Sequence, residues 1–279
     1  MNRNLLKKSG TTFLSVVLLT GMMTTPASAS QVRLYEINTL EQLKDELKNY
    51  SQESCVNIED QMELIEKSSP EVIEAFIEEK TEEALTAMNA IDPDSLLKQD
   101  EDGTFRGTTS IDLGDGCTAI VEFEDGVDEP LLVSGAKMSG SAVSRAVNGE
   151  TIWKDYGNRY FTASTTILSG VGGCKISLEN HYTLSENGID ERYGDAYENG
   201  GFNIGITGTV GHGDVIISDA SARTPGASDV NMYVRFNWQY EGQGIATVQG
   251  NTKLSTSVGF VAINKTKKQI QVKHSWTVN

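Results

Sequence analysis

Apolar residues recur along this chain with two different periods, and the change from one to the other organises it. Between residues 39 and 90 they fall three to four apart: Leu40, Leu43 and Leu47, then Ile58, Met62 and Ile65, then Ile73, Phe76, Ile77, Ala84 and Met88. Such stripes predict amphipathic helices, because that spacing keeps one helical face apolar. Start signals agree with them. Asn57 and Asp60 suit the head of the second helix, while Ser69 before Pro70 supplies an N-cap and the proline favoured at the first helical position, with Glu71 and Glu74 in the opening turn. The stripes break at residues 51–56 and 67–70, so the expectation is a small helical hairpin or three-helix unit rather than one continuous coiled coil.

After Gly103 the period becomes two. Ile111 with Leu113 and the stretches 118–123, 131–133, 160–168, 175–184, 214–218, 231–240, 245–248, 254–263 and 269–278 read as strands. Met232, Val234, Phe236 and Trp238 share one face, as do Ile270, Val272, His274 and Trp276, with Gln271, Lys273, Ser275 and Thr277 opposite. Turn residues punctuate the runs at Glu124-Asp125-Gly126, Glu186-Asn187-Gly188, Glu241-Gly242 and residues 264–268. With no helical pattern between the strands, the expected class is α+β: a short helical segment followed by a mainly antiparallel β-sandwich, with a closed barrel as the alternative.

Glycine locates the seam. Of 27 glycines, Gly10 and Gly21 lie at the front and all the rest between Gly103 and Gly259, as expected where helix gives way to strands and turns. The junction is placed between Asp92 and Gly103, which divides the chain into 1–29, 30–99 and 100–279. The first of these reads as a cleavable secretory signal: basic Arg3, Lys7 and Lys8, an apolar run over 13–23, Pro26, then Ala27-Ser28-Ala29. The run is short for a membrane span, no Cys stands at the cleavage site to take a lipid, and the ending Trp276-Thr277-Val278-Asn279 has no apolar tail. The expectation is a soluble exported protein with no integral membrane anchor in its mature form. Loss of the three basic leader residues takes the formal charge from −16 to −19, a field that disfavours nucleic acid and anionic polymers.

The lipid-free signal, the segment from Trp153 to Phe161 (Trp-Lys-Asp-Tyr-Gly-Asn-Arg-Tyr-Phe) and the closing strand with Trp276 together resemble uncharacterised secreted proteins of Gram-positive bacteria. Those proteins join a signal peptide and a helical segment to a C-terminal β-sandwich domain of unknown function. The resemblance covers the C-terminal half, and it implies an extracellular bacterial setting and no particular activity.

Common catalytic motifs are missing. There is no phosphate-binding Gly-rich loop ending in Lys-Ser/Thr, no Gly-x-Ser-x-Gly, no His-Glu-x-x-His, and the Asp100-Glu101-Asp102-Gly103 stretch fails as a calcium loop because Lys98 and Thr109 fall at ligand positions. His181, His212 and His274 are far apart in sequence, so no metal site and no cofactor are expected; His274 reads as a structural inward-facing residue. Cys174 and His181, seven apart on one strand, point to opposite faces and cannot act together. Cys117 and Cys174 each follow a glycine at the start of a strand, leaving two readings open: a disulfide between them, or three reduced thiols including Cys55.

Tyrosines set among polar residues mark the expected contact surface. Tyr156, Arg159 and Tyr160 in one stretch, and Asp190, Tyr193, Asp195 and Tyr197 in another, are placed on loops near strand ends. The functional expectation is a secreted, non-enzymatic binding protein for an extracellular protein or glycan, with self-association through the helical segment as a further role. The alternatives are an extracellular hydrolase using a carboxylate pair and a toxin-like or bacteriocin-like β domain guarded by a helical prosegment.

Overall fold

A computed structural model describes residues 35–51, 63–64, 66–128, 152–169, 172–199, 206–242 and 245–279. The leader, Cys55, the strand expected at 131–133 and most of the helix expected around residues 58–65 lie outside them.

Leu43 and Leu47 put helix α1 (Leu40–Ser51) against its neighbour, and Lys44 adds an ion pair to Glu79 at 2.6 Å. Helix α2 (Pro70–Asn89) begins at Ser69 as expected, although the Ser69 side chain makes no capping bond. Its buried stripe is Val72, Ile73, Phe76, Ala84 and Met88. The short α3 (Pro93–Leu96) is capped by Asp92, whose carboxylate accepts from the Asp94 amide at 3.2 Å.

The remainder is antiparallel sheet. One seven-stranded sheet has the order β1-β2-β3-β5-β6-β7-β10, from β1 (Lys98–Gln99), β2 (Phe105–Gly114), β3 (Cys117–Val127), β5 (Gly157–Ser169), β6 (Gly172–Ser185), β7 (Gly188–Asn199) and β10 (Ser221–Ala222). The other runs β4-β13-β12-β11-β8, from β4 (Ile152–Asp155), β13 (Gln269–Val278), β12 (Ile245–Asn264), β11 (Ser228–Gly242) and β8 (Ile206–His212); β9 (Ile216–Asp219) also pairs with β11. Alternation decides which side of each strand is buried. Cys117, Ala119, Val121 and Phe123 of β3 and Ile270, Val272, Trp276 and Val278 of β13 are all buried, and Phe123 meets Trp276 edge-on at 5.0 Å between ring centres. The two sheets come into close contact where β7 carries Gly194: a Cβ there would lie 2.3 Å from Met232 Sδ on β11.

Helix α2 packs against β2, β3, β12 and β13, strands of both sheets. Contacts also cross the seam expected between Asp92 and Gly103. Asn89 bonds both backbone groups of Val278 (2.7 and 2.9 Å), and Trp276 Nε1 donates to the Ile91 carbonyl at 3.1 Å.

Three local expectations need correcting: Arg159 and Tyr160, expected on a loop, belong to strand β5, and two further stretches differ. Glu124-Asp125-Gly126 is no turn but the interior of β3, with Asp125 fully buried. The Asp190–Glu198 stretch is likewise strand β7, where a loop was expected. It escaped notice because its inward positions are Glu191, Gly194 and Ala196, too small or too polar to show alternation.

Candidate functional site

Two polar clusters lie on opposite sides of the seven-stranded sheet. The inner one is centred on Asp125, the next inward position after Phe123. Its Oδ1 accepts from Lys154 Nζ (2.6 Å) and Arg159 Nη2 (2.8 Å), while Oδ2 accepts from the Tyr182 hydroxyl (2.8 Å) and lies 2.7 Å from His274 Nε2. His274 Nδ1 in turn meets Asp94 Oδ1 at 2.6 Å, and the other Asp94 oxygen accepts from the His274 backbone N–H. Burial raises the cost of every charge here, so complementarity decides the outcome. Burial alone would raise the Asp125 pKa, but Lys154, Arg159 and His274 hold it well below the usual carboxylate range. Burial opposes charge on His274 too, yet Asp94 and Asp125 lift it to about 9; burial pushes Lys154 down to about 8 against the pull of Asp125. This cluster ties both sheets to α3, and its members are all buried.

The outer cluster is built by β6 and β7. Glu179 and His181 sit two apart on β6, hence on one face, and β7 places Asp195 opposite Glu179 and Tyr193 opposite His181. A register shift follows between His181 and Tyr182, and Arg192 falls at this irregularity. His181 is only 5% exposed. Its ring stacks on Tyr193 (centroids 4.1 Å apart, planes 17° apart), and Asp128, just past β3, accepts from Nδ1 at 2.9 Å. Nε2 points the other way, 2.7 Å from Glu179 Oε1 and 3.7 Å from Asp195 Oδ2. Thr162 donates to the second Glu179 oxygen at 3.0 Å, Arg192 pairs with Asp128, and the Tyr160 hydroxyl donates to Glu124. Burial works against charge on His181, but Glu179 and Asp128 raise its pKa; the bond to His181 lowers that of Glu179.

The residues expected at the contact surface divide between these environments. Tyr193 and Tyr197 stand on the outer face, 44% and 53% exposed, with Asp195 between them and Tyr160 two strands away. Asp190 also belongs to β7, held in an ion pair with Arg223. Arg159 does not reach the surface: it faces inward against Asp125 and Tyr182, because its charge is matched there. Tyr156 packs against the core with its hydroxyl buried. Sequence reasoning missed Asp128, Glu179 and Arg192. The Glu179-x-His181 spacing was a readable sign of a shared strand face, whereas Asp128 and Asp195 join only through pairing.

Cys117 and Cys174 are not neighbours. Strand β5 lies between their strands, which separates them by roughly 10 Å across the sheet, beyond the ~7 Å limit for a bridge. The Cys117 thiol is buried and lies 3.9 Å from the Asp115 carbonyl.

Among the described residues no helix is long and apolar enough to cross a membrane. No family model, curated protein or solved structure matches the chain.

Proposed function

We propose that this is a secreted, non-enzymatic binding protein, a two-sheet sandwich behind an export signal, which holds an extracellular glycan against the outer face of its seven-stranded sheet. The observation that carries this reading is the row Tyr193, Asp195, Tyr197 along one side of β7, with both rings about half exposed. Exposed aromatic faces stack on the C–H surfaces of a sugar, and a carboxylate beside them accepts its hydroxyls. Strand placement favours the row further, since rings on a sheet are pre-positioned and lose little freedom on binding.

A hydrolase needs one carboxyl kept protonated beside another. Glu179 and Asp195 are adjacent, but His181 stabilises the ionised form of Glu179, and they occupy an open sheet face. The strongly raised carboxyl, Glu191 at about 8 through burial, points inward to Asn180. Binding is therefore the better reading.

Protein recovered from culture medium and tested against extracellular polysaccharides should bind one class. Tyr197→Ala should weaken that binding at least about tenfold while changing stability by less than about 1 kcal/mol, the usual range for exposed positions. Unchanged binding would remove the tyrosine row from the site. Release of reducing ends that stops on joint Glu179→Gln and Asp195→Asn replacement would make the protein a hydrolase instead.

A further inference from the structure

We propose that Glu179, His181 and Asp195 form a divalent transition-metal site on the outer face of β6 and β7, of the kind that takes zinc. This does not rest on glycan binding and stands or falls separately. Each residue offers one ligand atom within 4.8 Å of the others, and His181 Nε2 faces both Glu179 Oε1 and Asp195 Oδ2.

The donor set and its surroundings both argue for an ion. Asp128 can only accept at Nδ1, so that nitrogen carries hydrogen and, in the neutral ring, Nε2 presents its lone pair. Nε2 is buried and aimed at Glu179 Oε1, 2.7 Å away, and Asp195 Oδ2, 3.7 Å away. Without a metal, a proton on Nε2 answers the two carboxylate oxygens it faces; a divalent cation placed among the three atoms takes the place of that proton. Glu179 and Asp195 are also like charges directly opposite across a strand pair, an arrangement that destabilises a sheet unless compensated. A metal ion would displace the Nε2 proton, bridge the three atoms and offset the two opposed carboxylates.

Outer partners are already in place. A carboxylate on the non-ligating nitrogen is the usual support for a metal-bound histidine, and Asp128 provides it. Thr162 occupies Glu179 Oε2 and leaves Oε1 for the ion. Tyr193 fixes the ring plane by stacking. Tetrahedral bonds of about 2.0–2.2 Å put ligand atoms about 3.4 Å apart, so the present 2.7 Å contact must open slightly and the 3.7 Å contact close. One nitrogen with two carboxylates suits zinc over calcium, which prefers all-oxygen shells. Asp195, with a side chain 48% exposed, leaves the ion a solvent-facing position.

The test is calorimetric titration of the full chain, stripped with chelator, with Zn²⁺, followed by Co²⁺ absorption spectroscopy. One saturable site is expected, with cobalt visible bands showing a nitrogen ligand. Asp195→Asn is the deciding variant because its half-exposed position leaves the fold intact, checked by circular dichroism. It should weaken zinc binding by more than the roughly tenfold that losing an outer partner costs. His181→Gln should abolish binding and the cobalt bands. His212→Gln, which removes the exposed histidine near Glu198, and Tyr197→Ala should leave zinc affinity at the wild-type value. Absence of saturable zinc binding by the wild type, or wild-type affinity in Asp195→Asn, would overturn the proposal.

Discussion

His274 stays protonated to about pH 9 in the folded protein because Asp94 and Asp125 close on its two nitrogens. Its unfolded value is about 6.5. A base whose pKa is raised by folding contributes stability that is complete below the unfolded value and fades as pH climbs through the folded one. This contribution should therefore decline between pH 6.5 and about 9. Two neighbouring groups complicate the raw curve. Glu191, raised to about 8 by burial, also costs stability as pH rises towards that value, whereas Lys154, depressed to about 8, gains stability above it. Comparison with His274→Gln separates them. In urea unfolding series, the advantage of the wild type over the variant should shrink from pH 6 to pH 9; a constant difference would mean that folding leaves the His274 pKa unshifted, and a growing one that native His274 is uncharged.

At the scale of elements, the outer face of β3 and β5 depends on a residue too small to be noticed. Gly126 lies opposite Tyr160, and a Cβ there would sit 2.4 Å from the ring. The ring lies over the bare backbone and reaches Glu124. Gly126→Val should push it away and cost roughly 1–3 kcal/mol, the usual penalty for overpacking. Burial and then Glu124 raise the pKa of Tyr160, so ultraviolet titration of the variant should show a tyrosine ionising at lower pH. An unchanged titration would mean that the ring keeps its place. Strand and helix positions were largely legible in sequence: β6 and β13 follow strict alternation, and α2 starts at the Ser69-Pro70 signal. β7 was not, since sheet proximity at Gly194 replaces apolar side chains with space for Met232. Asp125 was also misread, because an acidic residue before glycine is ordinarily a turn and its partners lie far along the chain. The outer site was half legible: its tyrosines and Asp195 stood out, but the pairings that bring Asp128 and Asp195 to His181 leave no local pattern.

For the molecule as a whole, one carboxylate joins three parts of the fold. Asp125 belongs to the seven-stranded sheet, Lys154 and His274 to the other sheet, and Asp94, through His274, to the helical front. Removing Asp125 leaves buried cations without their counter-charge, which typically costs about 3–5 kcal/mol. That loss should be unevenly divided in time. The group is satisfied only after both sheets and α3 have come together, and contacts so distant in sequence form late, once loop closure has been achieved. An interaction absent from the folding transition state affects escape from the native state and leaves the route into it unchanged. Stopped-flow measurements on Asp125→Asn should therefore find folding at close to the wild-type rate and unfolding accelerated by the whole stability loss. A matching slowdown of folding would instead place this junction in the nucleus. On the first outcome, Asp125 acts as a latch: it plays no part in finding the native state and sets how long the molecule remains there.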